Sequence, residues 1–464
     1  MLFNSFVFLL AFLPITYIVF WQLESRVARY AWLTAVSYVF YGYWDAKFCL
    51  LMLFSTVVAY TAGLGFLKWP ESSRARRLCL IIPITVDLSL LGFFKYADFA
   101  LQSVSAGLRA FGAEVGFPRL DIILPVGISF YTFHTISYIV DCYRGVVRPT
   151  RNLLEFSTYV SLFAQLVAGP IVRFRQVEQD LENLGKADRT RWLGVGVAYF
   201  VVGMFEKVVV ADYLASFVDP ALSRYWELST TGAWLAMLGY TFQLYFDFSG
   251  YSDMAVGLGY MFGIRLPINF NSPYKALNPS DFWRRWHISL SGCLRDYVYI
   301  PLGGNRGSEA QTYRNLLLTM LIGGLWHGAN WTFVVWGLYH GMLLALYRAF
   351  GGAWDRLPRV LQLIGTFVLV VVGWVMFRST DFTMAADLLV RMFVPTSGES
   401  IDRGAALLPM LVFAGIWAMA GPNMHELKDR GCLLRHRLAL AAASGACVAT
   451  MLGAAGSPFL YFQF

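Results

Sequence analysis

The chain has 464 residues, 57% of them hydrophobic and only 14% charged, with a mean hydropathy of +0.54. One soluble core of ordinary size has no room for so much apolar surface and a bilayer has, so the composition predicts an integral membrane protein. The formal charge of +8, from 37 basic against 29 acidic residues, gathers in connecting segments and forms no stripe, which fits membrane topology and gives no sign of a nucleic-acid surface.

In chain order, apolar stretches at 2–21, 48–67, 122–140, 192–210, 230–246, 357–377, 404–420 and 438–452 approach or reach the roughly 20 residues a helix needs to cross a bilayer core. With shorter candidates they make roughly ten to a dozen membrane segments. The expected fold class is an all-α polytopic membrane protein, a single membrane domain over residues 1–464. Residues 1–19 hold no basic side chain and no small-residue cleavage pattern follows, so the first stretch reads as a retained span.

Short cytoplasmic loops carry an excess of lysine and arginine, and this sets the orientation. An N-terminus outside fits Arg26 and Arg29, then Lys68, Arg74, Arg76 and Arg77, then Arg144, Arg148 and Arg151 as successive inner loops. The next basic loop holds Arg173, Arg175, Lys186, Arg189 and Arg191, and only one apolar stretch, 156–172, separates it from the previous one. That stretch cannot cross the membrane and leave both loops inside, so a re-entrant or hairpinned segment is expected. The longest hydrophilic stretch, 265–314, carries Arg265, Lys275, Arg284, Arg285, Arg295, Arg306 and Arg314 against few acids and belongs on the cytoplasmic side. Non-helical backbone at membrane depth is tolerated only around protein or a water-filled cavity, so re-entrant segments near it imply an internal cavity. Cys49, Cys79, Cys142, Cys293, Cys432 and Cys447 are scattered with no metal-ligand spacing, and neither a disulfide nor a metal is assigned.

Six histidines are the candidates for chemistry. His425 and His436 fall in a polar, basic C-terminal loop and read as solvated surface. His134, in SFYTFHTISY, reads as a packed polar residue facing the bundle interior. His327 lies in LIGGLWHGANWTFVVWGLYHG, an ionisable ring inside an apolar stretch. Function and packing are evenly matched there: the glycines Gly323, Gly324 and Gly328 suit close substrate approach and tight helix packing alike. A neutral imidazole can accept a proton from an attacking hydroxyl or thiol, and burial keeps it neutral, so His327 has the chemistry of a general base in acyl transfer. For His340, in the same segment, the reading as a helix-end anchor is preferred.

The second concentration is DFWRRWHISLSGCLRDYVYIPLGGNR, residues 281–306. Its cations and aromatics suit an interfacial helix holding a phosphate-bearing ligand, and suit a lipid-headgroup anchor equally well. His287 could bind or position an acyl donor. Cys293 as a relay thiolate would need a lowered pKa that nothing in its surroundings guarantees, so it reads as a small buried residue.

DFWRRWHISLS with LRDYVYIPLGGNR, followed by GGLWHGANWTFVVWGLYHG, resembles the membrane-bound O-acyltransferases, in particular their bacterial alginate O-acetylase branch. FNSFVFLLAFLP, LPVGISFYTFHTISYIVDCYRG (124–145), LVAGPIVRFRQ (166–176), GMFEKVVVADYLA (203–215), QLYFDFSGYSDMAVGLG (243–259) and GWVMFR (373–378) extend the likeness over most of the chain. The resemblance implies a helical bundle around a central tunnel with re-entrant or interfacial helices. His327 matches the family's near-universal histidine, the catalytic base, and His287 its second recurrent histidine. It also implies acetyl-CoA as a cytoplasmic donor, a periplasmic partner acetyltransferase, and a polysaccharide biosynthesis and export complex at the bacterial inner membrane. Arg284, Arg285, Trp286, Asn330, Asp247 and Asp253 are the expected donor- or substrate-binding positions. Ser249 also matches a polar position of the family string, with no role attached. His134 and the pair Gly292–Cys293 depart from the family pattern; they leave the two histidines intact but blur the choice among alginate, bacterial cellulose and peptidoglycan as polymer. A polytopic transporter and a non-catalytic export scaffold are the competing readings of another class.

Overall fold

Ser25, Ser73 and Asn152 each precede an apolar run, and each caps a helix there, accepting from the backbone N–H of Ala28, Arg76 and Leu154 respectively. The computed structural model describes residues 1–113, 116–401, 406–431, 437–453 and 460, so Cys432 and His436 lie outside the described residues. Among the described residues the regular elements are helices, with an isolated parallel bridge between Leu228 and Glu399. Among the described residues five helical stretches are long and apolar enough to cross a membrane: Lys47–Lys68, Arg74–Ala110, Arg189–Ser223, Trp331–Trp354 and Arg359–Arg378. Shorter apolar helices cover Phe8–Gln22, Leu407–Met419 and Arg437–Gly453.

The chain divides into two compact units, Met1–Val197 with Ala255–Pro267, and Ala198–Met254 with Ile268–Phe464. The first holds α1 (Leu13–Gln22), α2 (Arg26–Gly42), α3 (Lys47–Lys68), α4 (Arg74–Leu91), α5 (Ala97–Ala110), α6 (Ile128–Tyr143), α7 (Leu153–Ser161), α8 (Phe163–Leu166) and α9 (Phe174–Glu182). Helix α10 (Arg189–Met204) begins in it. Helix α6 packs on α3 and α4, and α7 on α2.

The stretch expected to span 122–140 becomes helical only at Ile128. Pro125 precedes it, and Gly127 has φ +77°, with its missing Cβ only 2.5 Å from the carbonyl oxygen of Leu166. Only glycine fits that approach, so the helix cannot start earlier. The stretch 156–172 is broken and buried. Helix α7 stops at Ser161, α8 adds one turn, and the backbone then runs non-helically to α9. Ser37 accepts from the N–H of Phe163 (3.0 Å), and the Tyr159 hydroxyl lies 3.0 Å from the Val172 carbonyl. His134, on α6, closes this region: Nε2 accepts from the N–H of Val172 at 3.3 Å and Nδ1 lies 3.5 Å from the Val160 carbonyl. In the same unit Arg265 clamps Asp180 through its guanidinium (Nε at 3.0 Å) and its backbone N–H (2.8 Å).

The second unit carries a π-helical turn, Phe205–Ala211, then α11 (Asp212–Ser223) and the first part of α12 (Thr230–Met261). At 32 residues α12 greatly outruns the expected 230–246 span. There follow α13 (Pro279–Arg285), α14 (Ile288–Leu294), α15 (Glu309–His327), α16 (Trp331–Trp354), α17 (Arg359–Arg378), α18 (Phe382–Phe393), α19 (Leu407–Met419), α20 (Met424–Asp429) and α21 (Arg437–Gly453). The expected stretch at 404–420 thus appears as a helix from Leu407, its residues 404 and 405 lying outside the described ones.

Candidate functional site

Helix α13 starts where the sequence places its caps. Asn278 accepts from the N–H of Asp281 at 2.7 Å, and Pro279 occupies the first turn, where its missing N–H costs nothing. The helix ends at Arg285, and His287 then takes a left-handed conformation, φ 43° and ψ 55°, before α14 begins. A non-glycine residue held there stores about 1–2 kcal/mol of strain, and the surroundings must fix it. They do so through Asn269, whose carbonyl accepts from the N–H of Ile288 (2.9 Å) and whose side chain bonds Ser289 (2.6 Å) and Ser252 (3.0 Å).

His287 is fully buried, and neither ring nitrogen has a hydrogen-bond partner. Burial pushes its imidazole down to about 3, so it is neutral at working pH. A buried, strained and unsatisfied imidazole is expensive, and such costs cluster where a ligand completes the site.

The hairpin of α15 and α16 brings His327 to it. Ser308 and Gln311 form a reciprocal capping box at the start of α15. Gly324 and Gly337 let the two helices meet at backbone distance: a Cβ on Gly324 would lie 2.2 Å from the Phe333 carbonyl oxygen, and one on Gly337 2.4 Å from that of Met320. Gly328 is extended, so α15 ends on His327, and Asn330 caps α16 by accepting from the N–H of Thr332 (3.1 Å) while donating to the Thr380 carbonyl (2.7 Å). His327 therefore occupies the carbonyl end of a helix, where positive charge is favoured.

The rings of His287 and His327 are 6.3 Å apart, centroid to centroid. Phe248 (4.8 Å) and Trp326 (5.7 Å) flank His287, and Trp326, Trp336 and Phe377, each 5.1–5.2 Å away, surround His327. Trp336 also contacts His340 (4.9 Å) and Trp374 (5.8 Å), and Trp374 contacts Trp286 (4.8 Å). The indole N–H groups of Trp283 and Trp336 and Nε2 of His340 are buried with no hydrogen-bond partner. Two buried imidazoles ringed by aromatic side chains, with unsatisfied donors nearby, can accept a proton and can hold carbonyl groups of an incoming substrate.

The expected binding positions fare unequally. Trp286 joins the aromatic cluster. Arg285 bonds Asp281 (2.9 Å) and the Asn271 carbonyl (3.2 Å), and Arg284 is exposed beside Ser280 (3.4 Å). Asn330 acts as a helix cap. Asp247 is part of a buried ion triad in which Lys207 lies 2.6 Å from both Asp247 and Asp212, and Asp247 also accepts from the N–H of Leu460 (3.0 Å). Asp253 interacts electrostatically with Glu206. Cys293 is fully buried in α14, and His425 lies 3.3 Å from Asp429 on α20. Glu206 and Lys207 carry a cluster that the sequence reading passed over, although two adjacent charges in the apolar run GMFEKVVVADYLA were its signal.

Comparison with known proteins adds to this geometry. The model of the membrane-bound O-acyltransferase family matches residues 145–384, which include both histidines of the site. A probable alginate O-acetylase of Pseudomonas aeruginosa is 48% identical, over 85% of this chain and 75% of its own. A peptidoglycan O-acetyltransferase of Helicobacter pylori is 39% identical over 86% and 81%, and a teichoic acid D-alanyltransferase of Bacillus subtilis is 29% identical over 57% and 71%.

Proposed function

Because the chain belongs to the membrane-bound O-acyltransferase family and is an acyltransferase, we propose that it moves acetyl groups from a cytoplasmic donor, acetyl-CoA, across the inner membrane for O-acetylation of an exopolysaccharide. The observation that carries the reading is the buried pair His287 and His327, 6.3 Å apart in an aromatic enclosure. Neutral His327 takes the proton of the attacking hydroxyl, whose oxygen adds to the acetyl carbonyl. The thioester C–S bond then breaks, and the imidazolium returns the proton to the departing thiolate. The helix end beneath His327 favours the transient positive charge. His287, neutral and left without a partner, positions the acetyl carbonyl or the attacking group. Arg284, Arg285 and Trp286 are the donor-side candidates on α13, and Asn330, Asp247 and Asp253 are the remaining proposed binding positions.

Alginate is the preferred polymer, since relatives named for alginate are 43–48% identical over most of the chain. The peptidoglycan enzyme at 39% keeps a second acceptor in view. The topology that suits this is an N-terminus in the periplasm, one membrane domain, and a periplasmic acetyltransferase that completes transfer to the polymer within an export complex.

The test is His327→Gln in cells lacking the native chain, with membrane abundance checked and ester-linked acetate measured in the secreted polysaccharide. Loss of acetate at unchanged polymer yield is expected. Normal acetate would leave a transporter or scaffold as the better reading.

A further inference from the structure

A cavity of about 440 Å³ lies within the second unit; neither His287 nor His327 lines it, and its walls include Phe205, Glu206, Phe413, Trp417, Leu427 and Ala443. That volume is within the ordinary range for small-ligand sites, roughly 300–1,000 Å³. Apart from Glu206 its lining is apolar.

Glu206 is only 5% exposed, and its Oε2 is buried with no hydrogen-bond partner. It belongs to the π-helical turn Phe205–Ala211, a distortion that recurs at functional sites. Its neighbour Lys207 does not neutralise it, because Lys207 is already paired with Asp212 and Asp247 at 2.6 Å each. Among the described residues neither Glu206 nor the adjacent Asp253 has an ion pair. The region therefore carries more carboxyl groups than cations, and a cation would complete it.

The aromatic walls fit the same occupant. Phe205 lies 6.0 Å from Trp417, and Phe413 5.7 Å, so three aromatic rings cluster in the wall of the cavity that Glu206 also lines. Carboxylate plus aromatic faces is how proteins recognise ammonium groups. Helix α20 lends Met424 and Leu427 to the wall and also carries His425, Glu426, Lys428 and Asp429, a polar face of the kind that suits a headgroup region. Residues of α19 and α21 such as Ile416 (63%) and Leu438 (88%) are exposed and apolar, as lipid-facing helices are.

We propose that this cavity binds the primary-ammonium head group of an aminophospholipid drawn from the surrounding bilayer, with Glu206 as its ionic partner and Phe205, Phe413 and Trp417 as its cage. The full-length protein, purified from membranes, would be loaded with phosphatidylethanolamine or phosphatidylglycerol of identical acyl chains and examined by native mass spectrometry. Phosphatidylethanolamine should be retained about tenfold more strongly, the scale of one charge-assisted contact. Glu206→Gln should remove that preference, and dodecylamine should displace the lipid where dodecanol does not. Ala443→Phe, which fills the cavity and leaves the carboxylate, should also abolish retention, and it decides the matter if Glu206→Gln folds poorly. Equal retention of both lipids, or a preference that survives either variant, would overturn the proposal and leave protons as the neutralising species.

Discussion

Two buried histidines, one in each unit, show how the same side chain serves opposite ends. His134 in the first unit has both ring nitrogens against backbone groups, Val172 and Val160, and fastens a broken segment that has no helix of its own to satisfy it. His287 in the second unit has neither nitrogen bonded, stands in a strained backbone conformation, and faces a second imidazole. The first arrangement is complete without a ligand. The second is not, and burial alone therefore does not tell these two histidines apart; their hydrogen bonding does.

The largest effect that would sharpen this contrast is on turnover. His287→Asn keeps a residue tolerant of the left-handed conformation and removes the imidazole, so acetyl transfer should fall about 100-fold or more with an unchanged melting temperature. Comparable losses in both would make His287 a structural residue like His134. Gly324→Val forces side-chain atoms into the Phe333 carbonyl, so the α15–α16 hairpin should lose about 3 kcal/mol or more, read as a lower melting temperature together with lost activity. A normal melting temperature would mean that the close helix contact does not position His327. His134→Phe strands two backbone groups and should cost about 2–4 kcal/mol, while activity per folded molecule stays near normal.

The smallest effect is on pH dependence. His287 titrates well below the ordinary histidine value, so between about pH 6.5 and 3 the unfolded chain binds a proton that the folded one refuses. Stability should fall as pH drops through that window, and His287→Asn should flatten the fall in a thermal-melt series; an unaltered slope would place the titrating group elsewhere.

Much of the site was legible in the sequence because the motifs around His287 and His327 are contiguous, and their caps, Asn278, Ser308 and Asn330, act within three residues of themselves. The polytopic helical class followed from composition and the succession of apolar stretches. What the sequence hid depends on residues far apart in the chain. Asp247 looks like a free polar position until Lys207 is seen beside it, and Asp180 gives no sign of its clamp on Arg265. The late start of α6 was signalled by Pro125 and Gly127, but the reason glycine is required there, the Leu166 carbonyl, lies nearly forty residues on.

The central claim, that the His287–His327 pair and not the backbone-bonded His134 performs acyl transfer, is tested most directly by following acetyl-CoA consumption with purified wild-type, His327→Gln and His134→Gln proteins at matched folded concentration. A loss of about 100-fold or more for His327→Gln with near-normal turnover for His134→Gln is the expected result. Normal turnover in His327→Gln, or a loss confined to His134→Gln, would contradict it.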